Sequence, residues 1–115
     1  MVLVDCYGEH FIPPHLQKPA FLRAVRGLLR RGGVVVANIW ETHPRFKDML
    51  WQYTRLFPHI WLLPGKKSGN TMLVAARTPP FPSLGALRAR ARTFESRMRP
   101  TLPISHHLRR LRTYP

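Results

Sequence analysis

MVLVDCYG, residues 1–8, decides how this 115-residue chain is read. Val2, Leu3 and Val4 are three consecutive apolar residues, and the carboxylate of Asp5 stands directly behind them. That pattern predicts a short strand buried on both faces and ending in a polar group, with Gly8 punctuating the segment. Such runs belong inside parallel sheets whose two faces are covered, and the carboxyl ends of those strands border the ligand crevice. Asp5 is therefore the first candidate for chemistry.

The sequence that follows supplies the rest of a sheet. Glu9 to Lys18 reads as a loop stiffened by Pro13 and Pro14, and Pro19 suits the first turn of a helix. Phe21, Leu22, Val25, Leu28 and Leu29 recur at helical spacing, and Gly32 is placed to cap that helix in a left-handed conformation. VVVANI, residues 34–39, is a second strand, again too apolar to leave one face in water. Thr42 or His43 caps the next helix, with Pro44 in its first turn. Phe46, Met49, Leu50, Tyr53, Leu56 and Phe57 give it an apolar stripe that Pro58 ends. Residues 59–63 and 71–76 are two further strands, close enough to form a hairpin. The predicted order is β-α-β-α-β-β, an α/β fold with a parallel sheet whose last strand is antiparallel. Asn38 to Glu41 then share the carboxyl ends with Asp5.

Composition bounds the function. No apolar run approaches the roughly 20 residues of a membrane span, and no signal-peptide pattern is visible at the N-terminus. Cys6 is alone, which excludes an intrachain disulfide and fits a reducing, cytoplasmic compartment; it reads as a small buried residue rather than a nucleophile. The net charge of +14 is unevenly spread. Residues 1–76 hold ten Lys/Arg and four Asp/Glu, while residues 77–115 hold nine Arg and one Glu. Pro79, Pro80 and Pro82 mark a boundary, so residues 1–78 read as the sheet domain and residues 79–115 as an Arg- and Pro-rich, partly helical tail. In the tail, Leu84, Leu87, Phe94 and Met98 line one face of a helix after Ser83, and residues 106–112 form another short helix.

Other chemistry is weaker. His10 and His15 share a loop at no familiar ligand spacing, and His106 and His107 are adjacent, so no metal site is expected. Lys66, Lys67 and Ser68 lack the Walker pattern and read as a solvated turn. The tail arginines with Trp40, Trp51 and Trp61 suggest a basic nucleic-acid-binding protein as an alternative, although no groove-reading motif accompanies them. Each Trp reads instead as core or crevice wall, and nonspecific binding to nucleic acid is expected at low salt.

DCYGEHFIPPHL, residues 5–16, resembles the segment after the fourth strand in spermidine synthase-like proteins, the polyamine aminopropyltransferases. There an Asp-x-aromatic start leads into Ile-Pro-x-His-Leu. The resemblance continues through Phe21 and Leu22, residues 32–38, Phe57 and residues 68–70, and the tail is similar to that family's C-terminal helices. It implies the Rossmann-like fold of class I methyltransferases, strand order 3-2-1-4-5-7-6, of which this chain supplies strands four to seven. It implies transfer of an aminopropyl group to a small-molecule amine, with decarboxylated S-adenosylmethionine as co-substrate. A fragment of a S-adenosylmethionine-dependent methyltransferase is the alternative, because methyl transfer shares the fold. Asp5 matches the catalytic Asp that holds the amine and takes its proton, and Tyr7 either packs along the amine or closes the strand end. Many relatives carry a second acid three positions later; here that position is Gly8, with Glu9 beside it. No Gly-x-Gly turn for the co-substrate occurs in the sequence. The expectation is a truncated protein, inactive as an isolated chain. Its first strand is exposed at an edge and ready to pair with a second copy or with a separately encoded first half.

Overall fold

A computed structural model describes residues 1–7, 12–65, 69–79 and 81–114. Its strands are β1 (Val2–Val4), β2 (Val34–Trp40), β3 (His59–Pro64), β4 (Asn70–Ala76) and β5 (Arg112–Tyr114), and its helices are α1 (Pro19–Leu28), α2 (Phe46–Leu56), α3 (Leu84–Met98) and α4 (Ile104–His107). The strands form one mixed sheet in the order β1-β2-β4-β3-β5. β1 and β2 are parallel, with Val4 beside Ala37, and every other pairing is antiparallel. β4 therefore lies between β2 and β3, which run in the same direction without touching.

Alternation along the strands divides the core in two. Val4, Val35, Ala37, Ile39, Ile60, Leu62, Leu73 and Ala75 turn one face toward α1 and α2, which bury Leu22, Val25, Leu29, Met49, Leu50, Tyr53 and Phe57 against it. On the opposite face Trp61 and Ala76, with Val34, Leu63 and Val74 around them, meet Phe81, Leu84, Leu87, Leu108 and Leu111 of the tail. The residues after 79 thus form the second cover of the sheet. One polar contact ties them to the sheet, and another joins α3 to α4 within the tail. Arg110 Nη1 donates to the Pro64 carbonyl oxygen at 2.6 Å. The Glu95 carboxylate accepts from the Ser105 N–H at 2.6 Å and its hydroxyl at 2.7 Å.

Several expectations are corrected. β1 is not buried on both faces: Leu3 is 67% exposed, because β1 is an edge strand and the tail does not reach it. β2 alternates between buried and half-buried positions for the same reason, its second face being only partly covered. Cys6 is exposed, since the chain has already left the sheet at that point. The α1 stripe is narrower than its sequence suggested; Leu22, Val25 and Leu29 are buried while Leu28 is 75% exposed. Gly32 is left-handed (φ 73°), but in the turn into β2 rather than as a helix cap, since α1 ends at Leu28. Thr42 and His43 do not cap α2 and Pro44 precedes it. The helix begins only at Phe46, after a turn in which the His43 ring accepts from the Arg45 N–H. In α3 the Ser83 cap forms, its hydroxyl accepting from the Ala86 N–H at 3.2 Å. Ala91 is buried where Phe94 and Met98 were expected, and both of those are exposed. The short helix predicted over 106–112 begins at Ile104 and ends in a 3-10 turn at Leu108–Arg110, giving way to β5, which the sequence did not reveal.

Two outcomes follow from this packing. Leu73 is fully buried at the centre of the sheet, so Leu73→Ala should lower the unfolding free energy by about 2–5 kcal/mol, read from urea unfolding. The Ser105 hydrogen bonds hold the Glu95 carboxyl below its ordinary value of 4.5, the Ser105 hydroxyl first among them. A depressed folded-state value means that this anchor is complete above the ordinary titration and fades as pH falls through the lower one. The Ser105 amide resonance should therefore titrate with a midpoint below 4.5, and Glu95→Gln should abolish that titration.

Candidate functional site

The parallel register of β1 and β2 brings the residues after Val4 and Ala37 together at the carboxyl ends of the two strands. Strand alternation places Leu3, Asp5 and Asn38 on the face turned away from α1 and α2. Asn38 Nδ2 donates to Asp5 Oδ1 at 3.1 Å. A carboxylate oxygen accepts only, so this contact fixes which end of the amide faces Asp5. The other end is left over: Asn38 Oδ1 is buried and has no hydrogen-bond partner among the described residues. Leaving a buried acceptor unpaired costs about 1–3 kcal/mol, so its persistence asks for a donor from elsewhere.

Tyr7 closes the same end. Its hydroxyl donates to the Asn38 carbonyl oxygen at 2.8 Å, and its ring meets that of Trp40 at 5.5 Å between centroids, tilted by 34°. Burial pushes the Tyr7 phenol above its ordinary pKa, the negative charge of Asp5 adds to this, and a backbone hydrogen bond at Trp40 partly offsets it. Tyr7 is thus a fixed, protonated donor. Together these groups present a carboxylate and an aromatic pair, next to a buried amide oxygen with no partner among the described residues. Such a set can receive the N–H groups of an amine and line its alkyl chain.

Glu41, one residue beyond β2, is engaged otherwise. Arg112 Nη2 donates to its Oε1 at 2.8 Å, and the Thr71 hydroxyl donates to its Oε2. Its N–H donates to the Gly69 carbonyl oxygen at 2.8 Å. Gly69 is left-handed (φ 68°), and a Cβ there would approach the Thr42 side chain to 3.3 Å, so glycine is the residue this turn accommodates. With side chains 54% and 36% exposed, the Arg112–Glu41 ion pair is worth at most about 1 kcal/mol. Its role is to tie β5 to the end of β2. One signal for it is legible in composition: Glu41 is one of five acids in a chain of net charge +14.

The structure brings Asp5, Tyr7, Asn38 and Trp40 together, and sequence reasoning had placed Asn38 at the right strand end without its link to Asp5. Gly8, Glu9 and His10 lie outside the described residues, as do Lys66, Lys67 and Ser68. Among the described residues no three His, Cys, Asp or Glu side chains cluster as metal ligands. Trp61 is core, while Trp40 is 42% exposed beside Tyr7 and Trp51 is 59% exposed on α2. No helix among the described residues is long and apolar enough to cross a membrane.

No protein-family profile matches the chain, and no solved structure matches it. Among curated proteins it is similar to the polyamine aminopropyltransferase of Vibrio vulnificus (strain CMCP6), with 29% identity over 101 residues. The matched segment is 86% of this chain and 33% of that protein, so the chain spans about a third of the relative's length. The likeness supports a spermidine synthase-like ancestry.

Proposed function

We propose that the carboxyl ends of β1 and β2 form the amine-holding edge of an aminopropyltransferase, with Asp5 as the base and orienting group. The observation that carries this reading is the Asp5–Asn38 pair, with a buried Asn38 Oδ1 that has no partner among the described residues. A free alkyl ammonium titrates near 10, so a nucleophilic amine needs a group that accepts its proton. Asp5 accepts one N–H of the neutral amine, and a turn of the Asn38 side chain that opens Oδ1 lets it accept a second, which aims the nitrogen lone pair outward. As the new N–C bond forms, the C–S bond of the sulfonium would break to release a thioether, and Asp5 takes the proton from the resulting ammonium. Tyr7, held by its bond to the Asn38 carbonyl, flanks the alkyl chain together with Trp40. Decarboxylated S-adenosylmethionine, the co-substrate of this reading, would supply the electrophilic carbon beside a sulfonium. The residues here fit the amine and not that co-substrate. The sequence contains no Gly-x-Gly turn, and no side chain is assigned to hold it.

The order β1-β2-β4-β3 agrees with the stretch 4-5-7-6 of the class I methyltransferase sheet, which supports placing residues 1–78 in the second half of such a domain. Residues 79–115 are then its C-terminal cover. On this reading these 115 residues do not turn over alone. Activity requires a co-substrate-holding segment laid along the open side of β1, where Met1 and Leu3 are exposed.

The chain itself permits a direct test. A short aliphatic diamine should shift the Asn38 side-chain amide and the Tyr7 ring resonances, and Asp5→Asn or Asn38→Ala should remove the response. Millimolar diamine that leaves these resonances unmoved would sink the reading. In a form completed with a co-substrate-binding half, Asp5→Asn should lower transfer by about 10²–10⁴-fold while co-substrate affinity stays unchanged. Undiminished turnover would remove Asp5 from the mechanism, and methyl transfer in place of aminopropyl transfer would reassign the co-substrate.

A further inference from the structure

We propose that the outer surface of α1 and α2 binds single-stranded nucleic acid, with Trp51 as a stacking platform and Arg23 and Arg55 as phosphate contacts. This inference rests on neither Asp5 nor amine chemistry. Trp51 is the starting point. Large aromatics are on average highly buried, yet Trp51 is 59% exposed in the middle of α2. It has no part in either core cluster. The Arg55 guanidinium lies 4.8 Å from the centroid of its ring, one turn further along the helix. That contact orders the two side chains without burying the indole, so packing does not account for an aromatic here.

The surroundings of Trp51 suit a planar anionic ligand. Trp51, Gln52, Arg55 and Leu56 of α2 face Pro19 and Arg23 of α1 across a cleft of about 270 Å³. The volume lies just below the range for a whole small-molecule ligand, which favours insertion of one flat group from a longer molecule. Pro19 and Leu56 supply apolar contact, and Arg23 and Arg55 bring a positive charge from each helix. Gln52 contributes an amide able to donate to or accept from a base edge. Around the cleft, residues 18–57 hold eight Lys/Arg against two Asp/Glu. One of these acids, Glu41, is paired with Arg112, leaving Asp48 one turn before Trp51 as the local counter-charge.

Bases of a single strand stack on exposed aromatic rings and on guanidinium planes, while the backbone tracks positive charge. A duplex hides its base faces. An acidic peptide would use the two arginines and leave the indole without a role. The ring, the stacked guanidinium and the facing cation therefore point to a single strand.

Fluorescence anisotropy of a labelled oligothymidylate of about 12 nucleotides, titrated with the full chain near 0.1 M salt, tests this. Trp51→Ala should weaken binding roughly tenfold or more, and Trp51→Phe should retain most of it. Arg23→Ala with Arg55→Ala should weaken binding and flatten its dependence on log salt by about 1.4, the loss of two phosphate contacts on a single strand. All three positions are exposed, and unchanged circular dichroism of the variants would show that the fold is retained. The proposal is overturned if the wild type does not bind, if Trp51→Ala binds like wild type, or if duplex DNA of equal length binds as tightly. It is equally overturned if Arg90→Ala with Arg92→Ala on α3 abolishes binding that Trp51→Ala leaves intact, or if anionic vesicles are bound and the oligonucleotide is not.

Discussion

β4 hydrogen-bonds to β2 from Asn70 to Ala76 along one side and to β3 from Thr71 to Ala76 along the other. Because it is inserted between two strands that run the same way, it is the element through which the two parts of the sheet are joined. Leu73 and Ala75 fill one face at this seam, and Val74 and Ala76 the other. Small residues at Ala75 and Ala76 let both layers of cover approach the sheet. Gly69 sits at the entry to this slot, where its left-handed backbone would strain any other residue and a Cβ would crowd Thr42. Its carbonyl oxygen accepts the Glu41 N–H, which extends the β2–β4 ladder one step beyond Trp40.

This arrangement gives the sheet two unequal covers. α1 and α2 pack a continuous apolar layer on one face. The tail protects only the β3–β4 side of the other, through Phe81, Leu84, Leu87, Leu108 and Leu111. β5 then covers part of the outer edge of β3, pairing with Ile60, Trp61 and Leu62, and becomes that edge of the sheet itself. Edge strands left open invite association; a three-residue edge strand is a short template, and β1 at the other edge is equally short.

The parts of this fold visible in the sequence were those governed by local periodicity. The six elements from β1 to β4 follow from runs such as VVVANI and the Phe46–Phe57 stripe, and their observed bounds differ by a residue or two at most, except at the start of α2. What local pattern could not show were features set by distant partners. Arg112, Thr113 and Tyr114 carry no alternation that marks a strand, and they extend the sheet only because Leu111 inserts beneath Trp61 and Arg112 reaches Glu41. Exposure of Leu3, Leu28 and Cys6 was equally hidden, since each depends on whether another layer covers that spot. At the candidate site Asp5 and Tyr7 were legible from the strand-end pattern and the resemblance of residues 5–16. The Asn38 bridge between them depends on register, which a sequence of two apolar runs leaves open.

The edge position of β1 also sets how exposed the candidate site is. Leu3, Asp5 and the buried Asn38 amide lie on one face of β1 and β2, at the end of the sheet that the tail leaves uncovered. A carboxylate in contact with bulk water is held by solvent as readily as by a substrate nitrogen, and its charge is screened. A further layer over Leu3 would bury that side chain and exclude water from Asp5. One covering element would thus change the surroundings of an exposed apolar side chain and a solvated carboxylate at once. The outer surface of α2 does not share this dependence. Trp51 and Arg55 are set by the helix that carries them, so their mutual geometry does not depend on what is laid along β1.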